Sequence, residues 1–350
     1  VALPDGRPIW GGTYFPKENW KSALSQLAEL YKKDRPKVEE YAQKLQEGMQ
    51  QGEQLTSLSD RALDKDILEN ALVNWRRRMD TVWGGPDKAP KFPLPNNHEL
   101  LLDLCMDSEE EWLQDQVLLT LDKMALGGIY DQIGGGFARY STDKEWKVPH
   151  FEKMLYDNAQ LIRLYSWAFT HFNHPMYKRI VEESIQWALD EMHEENGRFY
   201  SALDADSEGE EGLFYTWPEE ELHHIRENLP ELQVDQWFQL DTGEEWEGRF
   251  ILQRRHTDRQ AIDNHFDGNA KAFDEAWSKL KSEMLGMRSK RVRPGLDDKS
   301  LTSWNALMIS GLCAAFDALG NANYRKEAEK TFAFIKDQMM DDGKLLHAYN

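Results

Sequence analysis

Gly127-Gly128-Ile129-Tyr130-Asp131-Gln132-Ile133-Gly134-Gly135-Gly136-Phe137-Ala138-Arg139-Tyr140, followed after Ser141–Val148 by Pro149-His150-Phe151-Glu152-Lys153-Met154-Leu155-Tyr156-Asp157-Asn158, decides how this chain is read. The glycine pair ends one helical pattern and the triple glycine lets the backbone turn sharply. Pro149 followed by His150 predicts the start of the next helix, its free amide donors facing the loop. A long loop with these contents is one that holds a ligand. On the predicted helix His150, Lys153, Met154 and Asp157 fall at i, i+3, i+4 and i+7, one face that Leu161 and Leu164 continue as apolar. Imidazole titrates near neutrality and a neighbouring carboxylate orients it or acts separately, so His150, Glu152 and Asp157 are the catalytic candidates for proton transfer. The plainer alternative is a capped helix start with ion pairing along the helix.

Outward from this stretch the hydrophobic period is helical, with helices expected at 63–79, 96–107, 109–126, 151–172, 175–194, 269–286, 302–320 and 322–340. Long polar loops (80–95, 127–148, 195–234) alternate with tight turns near Asp107, at Asn173–Pro175 and at Gly320–Asn323. That rhythm predicts antiparallel helix hairpins with their elaborate loops gathered at one end, where a pocket forms. Arg198-Phe199-Tyr200 and Leu213-Phe214-Tyr215 read as short strands around an acidic turn at 207–212, and Trp246–Leu252 as a further strand. Residues 1–16, with Pro4-Asp5-Gly6, read as a β-hairpin; 20–50 are helical with a break at Pro36, and Gln50–Ser59 reads as a polar linker.

The 350 residues are 40% hydrophobic and 11% aromatic, enough for one large core or two smaller ones. Acids outnumber bases 62 to 42, a net charge of -20, which argues against nucleic acid and anionic membranes as partners. No apolar run approaches a membrane span and no signal peptide opens the chain, so a cytoplasmic setting is expected. Cys105 and Cys313 read as buried thiols in helices, not a redox pair or zinc site. The chain opens on Val1 and stops at Tyr349-Asn350, which reads as a fragment.

Other constellations compete for a role. Asp204-Ala205-Asp206-Ser207-Glu208-Gly209 imitates the opening of a calcium loop, but its twelfth position is Tyr215 where a glutamate is needed, so no metal is expected; Asp204 and Asp206 remain carboxylates for a sugar. Asp297 and Asp298, in the charged loop before Thr302-Ser303-Trp304-Asn305, form a second carboxylate station or a local Arg–Asp network, with Thr302 or Ser303 capping the next helix. Gly84-Gly85-Pro86 and Lys91-Phe92-Pro93 lack phosphate-loop spacing. Most of the 13 tryptophans, Trp112, Trp167, Trp187 and Trp277 among them, sit at core-compatible positions. No serine elbow, zinc-binding or dinucleotide motif is present, leaving acid–base chemistry without a cofactor.

Four blocks resemble the thioredoxin-domain proteins of the YyaL and spermatogenesis-associated protein 20 family: Gly11–Pro16, Gly128–Leu161, Ser201–Gly209 and Arg293–Asn305. The resemblance implies an N-terminal thioredoxin-like domain followed by an (α/α)6 toroid similar to six-hairpin glycosidases and N-acylglucosamine 2-epimerases. Residues 1–16 would then be the last hairpin of the thioredoxin fold, 17–60 a helical linker, and 61–350 a mostly α, incomplete toroid holding about eight of twelve helices. The family's upstream cysteine motif is missing here, so redox activity is not carried over.

The leading expectation is a carbohydrate-active protein, epimerase-like or glycosidase-like. A sugar-like small molecule would sit in a cup at the loop end, His150 acting as acid or base with Glu152 or Asp157 orienting it. Tyr130, Asp131, Arg139, Tyr140, Lys153, Tyr156, Asp204, Asp206, Asp297, Asp298, Trp304 and Asn305 would bind the substrate. The alternative is a non-catalytic binding or adaptor module fused to a thioredoxin-like domain, and the plainest is that these residues only stitch loops to helix ends.

Overall fold

The computed structural model describes residues 1–12, 15–53, 65–107, 110–240 and 246–350. Residues 54–59 of the expected linker, and Thr13-Tyr14 of the first resemblance block, lie outside the described residues. The chain forms two compact units, Val1–Leu72 and Val73–Asn350.

In the first unit lie α1 (Lys17–Lys33) and α2 (Arg35–Glu53). The break between them falls at Asp34, because Pro36 is accommodated in the first turn of α2, where its missing N–H is no loss. The expected hairpin is reduced to one bridge, Ala2 to Pro8, around a turn with Gly6 at φ +91°. So short a hairpin is not stable alone. Leu3 and Ile9 bury against Val38 and Ala42, which supplies what the strand pairing lacks.

The next helices in chain order are α3 (Lys65–Arg76), α4 (Pro95–Asp107), α5 (Glu111–Leu126), α6 (Leu155–Phe172), α7 (Pro175–Glu191), α8 (Glu219–Asn228), α9 (Val234–Trp237), α10 (Asp258–His265), α11 (Ala270–Arg288), α12 (Thr302–Leu319) and α13 (Ala322–Gln338). The pairs α4/α5, α6/α7 and α12/α13 pack together as the expected hairpins. Their turns follow local chemistry: Asn173 and Gly320 take the left-handed conformation that ends a helix, Pro175 starts α7, and the Asn321 side chain caps α13.

Helix α6 lies between α4 and α12. Arg163, midway along α6, forks onto Glu99 of α4 at 2.7 and 2.5 Å and reaches Ser310 of α12 at 3.2 Å. The N-terminal ends of the three helices also lie together, Pro95–Asn97 of α4 and Trp304 of α12 both beside Tyr156 of α6, so the three run the same way. A Cβ at Gly311 would sit 2.6 Å from the Ala159 carbonyl oxygen, so only glycine lets α12 approach α6 this closely. Parallel first helices with antiparallel partners make this unit the mostly α arrangement of helix hairpins that the loop rhythm predicts.

Between α7 and α12 an insertion encloses a separate apolar cluster, in which Trp217, Trp237, Phe238 and Trp277 are buried. Of its helices only α11 is foreseen by periodicity; α8 lies inside 195–234, expected as a long polar loop, and is a correction to that reading.

A three-stranded antiparallel sheet, Lys153–Met154, Ala202–Leu203 and Leu296–Asp297, joins three of the four resemblance blocks at the starts of α6 and α12. It also corrects the reading of the helix start. Pro149–His150 is a strand paired with Tyr140–Ser141, and α6 begins only at Leu155, so His150 and Lys153 do not share a helical face with Asp157. Residues 149–154 find backbone partners distant in sequence, and these outweigh the local helical period.

Smaller corrections follow the same logic. The acidic turn is a hairpin, Asp206–Ser207 with Glu210–Glu211, while Leu213–Tyr215 is a turn, Arg198–Tyr200 contributes one bridge, and Trp246–Leu252 contributes the strand Arg249–Phe250 and a bridge at Trp246. Neither Thr302 nor Ser303 caps α12; the Thr302 hydroxyl donates instead to the Leu346 carbonyl. Cys313 is exposed and Cys105 half-buried, against the expected buried thiols.

Candidate functional site

Two clusters occupy the loop end of the hairpins. The first is built on the paired strands 140–141 and 149–150. His150 stacks on Tyr140, ring centroids 5.1 Å apart, and Tyr140 meets Phe92 at 4.9 Å. The His150 Nδ1 lies 2.7 Å from Glu211 Oε1 and its Nε2 3.8 Å from Glu152 Oε2. The orienting carboxylate on Nδ1 is therefore Glu211, from the acidic hairpin, a residue that sequence reasoning missed. Asp206 faces Glu211 across that hairpin, exposed to solvent.

Glu152 also takes Arg139, at 3.0 Å, and Arg139 borders Tyr156 and Asp157 in turn. Asp157, in the first turn of α6, is 7% exposed and its Oδ2 has no hydrogen-bond partner. Burial pushes its pKa up to about 7; Tyr156 and Arg139 pull against that, and the nearby Glu152 charge adds to it. Asp157 and Tyr156 line a cavity of about 270 Å³ with Phe92 and the first turn of α4, and the Trp304 ring at the start of α12 lies 4.8 Å from Tyr156. Candidate residues from 139 to 304 thus meet where three helix starts come together.

The second cluster is ionic and buried. The Gly134–Gly136 turn wraps round Asp131, whose Oδ1 accepts from the Ile133 and Gly134 amides. The same carboxylate takes Arg288 at 2.8 Å and Lys153 at 2.8 Å, and these cations hold it well below the usual carboxylate range against its burial. Lys153 also donates to the Gly135 carbonyl and lies between the faces of Trp187 and Tyr215. Burial pushes its pKa down to about 8, Asp131 opposing and Arg288 adding to the fall. Gly136 is where Trp187 packs: a Cβ there would lie 2.6 Å from the indole. Asp131 and Lys153 line a cavity of about 350 Å³ with Glu183, Lys281, Arg288 and Arg293. The partners in α7 and α11 carry no local sequence signal, since each lies tens of residues or more from Asp131.

The remaining candidates sit elsewhere or are already engaged. Tyr130 is fully buried and its hydroxyl donates to Glu183 at 2.8 Å. Asn305 clamps Phe199, accepting from its amide at 2.9 Å and donating to its carbonyl at 3.0 Å; Asn158 holds Phe137 in the same way at the start of α6. Asp204 is tied by its backbone to Gly295, Asp297 pairs with Lys299 at 3.1 Å, and the Asp298 carbonyl accepts from Arg198. Among the described residues no group of three or more acids, histidines or cysteines is placed to hold a metal, and no helix is long and apolar enough to cross a membrane.

Helix hairpins side by side, with a titratable cluster at their shared loop end, define a mostly α protein. No family model matches the chain. It is 31% identical to an uncharacterized protein of Caenorhabditis elegans over 98% of this chain and 51% of that one, and 30% identical to human spermatogenesis-associated protein 20 over 98% and 48%. The structure of a sugar epimerase from a ruminal bacterium aligns with a TM-score of 0.34 and 15% identity over 80% of this chain and 87% of that one. Over nearly its whole length the chain is similar to spermatogenesis-associated protein 20, and it spans about half the length of the curated relatives it matches.

Proposed function

We propose that the cluster at the starts of α4, α6 and α12 binds a small, sugar-like molecule and moves a proton on it. The observation that carries this reading is Asp157: a buried carboxyl titrating at about 7, one oxygen unpartnered, bordering a cavity beside Tyr156. A group balanced between its two protonation states near neutral pH serves as acid or base, and holding it there against its burial has no structural benefit. His150, bracketed by Glu211 and Glu152, supplies a second titratable group, and Arg139 a cation for charge developing on oxygen. Tyr140, Phe92 and Trp304 offer faces for sugar rings.

Epimerisation draws a proton from carbon beside a carbonyl, whereas hydrolysis needs two carboxyls across a glycosidic bond. The imidazole with a dedicated orienting carboxylate favours the first. The test is incubation with a panel of reducing mono- and disaccharides in D2O, following deuterium exchange at C2 by NMR. Exchange that disappears in Asp157→Asn supports the proposal. Binding with neither exchange nor cleavage selects the adaptor reading, and exchange undiminished by Asp157→Asn removes that carboxyl from the mechanism.

A further inference from the structure

A separate cavity of about 460 Å³ opens between the end of α3, the 79–88 loop and the start of α4. Arg77, Arg78 and Lys88 line it, are exposed, and have no carboxylate partner among the described residues. The one acid in its wall, Asp87, is already paired with Lys144 at 2.7 Å. In a chain of net charge -20 the general field repels anions, so three unpaired cations in one concavity mark a local exception.

The frame that carries them is rigid. Lys91, fully buried, donates to Asp80 at 2.9 Å and to the Gly84 carbonyl at 2.8 Å, while the other Asp80 oxygen accepts from the amides of Val82 and Trp83. The Asp87 amide donates to the Arg78 carbonyl, and Met79 bridges to Pro86. The backbone that carries the three cations is therefore fixed before any ligand arrives.

A second, independent feature lies in the same wall. His98, in the first turn of α4, is 1% exposed and its Nδ1 has no hydrogen-bond partner. Burial pushes its pKa down to about 4, so the ring is neutral and able to donate from one nitrogen. The first turn of α4 holds no acidic residue to neutralise the positive end of the helix dipole. Trp75, Met79 and Leu94 supply apolar wall.

We propose that this cavity is a binding site for a small organic phosphate, its oxygens held by Arg77, Arg78 and Lys88 and its carbon body lying against Trp75, Met79 and Leu94. Phosphate matches the cation count in a wall with one acid, itself already paired.

The test is calorimetric titration of the full chain with AMP and glucose 6-phosphate, and with adenosine and glucose as their unphosphorylated controls. The expected result is binding of a phosphorylated compound but not of its control. Arg77→Ala with Arg78→Ala should weaken that binding by about a hundredfold, each charged hydrogen bond contributing about tenfold. Both residues are exposed, so the variant's melting temperature should be unchanged, and Asp157→Asn should leave this binding intact. The proposal is overturned if neither phosphorylated compound binds at about 10 mM, if the control binds equally well, or if the double variant binds with unaltered affinity.

Discussion

Replacing Asp157 with Asn should make the protein more stable at pH 8 while disabling the site. Burial raises this carboxyl from 3.8 to about 7 in the folded state. A raised carboxyl binds its proton more tightly when folded, so once ionised it opposes folding: the penalty is absent below about pH 4 and complete above about pH 7. About three pH units at about 1.4 kcal/mol each make that penalty about 4 kcal/mol. Asparagine removes the charge but leaves an unpaired amide where Oδ2 stands, costing about 1–3 kcal/mol, so the net gain at pH 8 is about 1–3 kcal/mol. Urea denaturation of both proteins at pH 4, 5.5, 7 and 8 checks this, and the difference between them cancels groups that titrate alike in both. The variant should be about 1–3 kcal/mol less stable than the parent at pH 4, where only the unpaired amide counts, and about 1–3 kcal/mol more stable at pH 8. A variant less stable than the parent at pH 8, or a difference independent of pH, would refute the argument that Asp157 is held at a cost to the fold.

Other changes separate function from framework. His150→Ala should lower sugar turnover by about 10²- to 10⁴-fold with little loss of stability, since the ring is partly exposed; unchanged turnover excludes it from proton transfer. Arg288→Met removes one cation from buried Asp131 and should destabilise by about 3–5 kcal/mol in urea melts, whereas an ordinary surface arginine would cost under about 0.5 kcal/mol. Asn305→Ala strips the clamp from Phe199 and should cost about 2–4 kcal/mol; a smaller loss would mean that solvent replaces the amide.

The parts of the site legible in the sequence are those set by short range. The triple glycine announces a tight turn, because turn chemistry acts within a few residues. His150 is visible as a titratable group beside a carboxylate, but its register is not. A proline and a following helical period look the same whether the helix begins at 151 or at 155, and only the pairing of 149–154 with strands 140–141 and 202–203 decides between them. Glu211, the partner on His150 Nδ1, and Arg288, the partner of Asp131, carry no local mark at all.

By itself the sequence determined the helix hairpins, their tight turns and the loops between them, since helical period and capping are written in neighbouring residues. Tertiary structure alone decided that α4, α6 and α12 run side by side, that Arg163 ties them together, and that Asp157 is buried beside Arg139 and Glu152. The reason is physical. A carboxyl's titration and a histidine's orientation are set by dielectric and charge within a few ångströms, and the decisive neighbours come from other segments of the chain, as Glu211 does from 61 residues beyond His150.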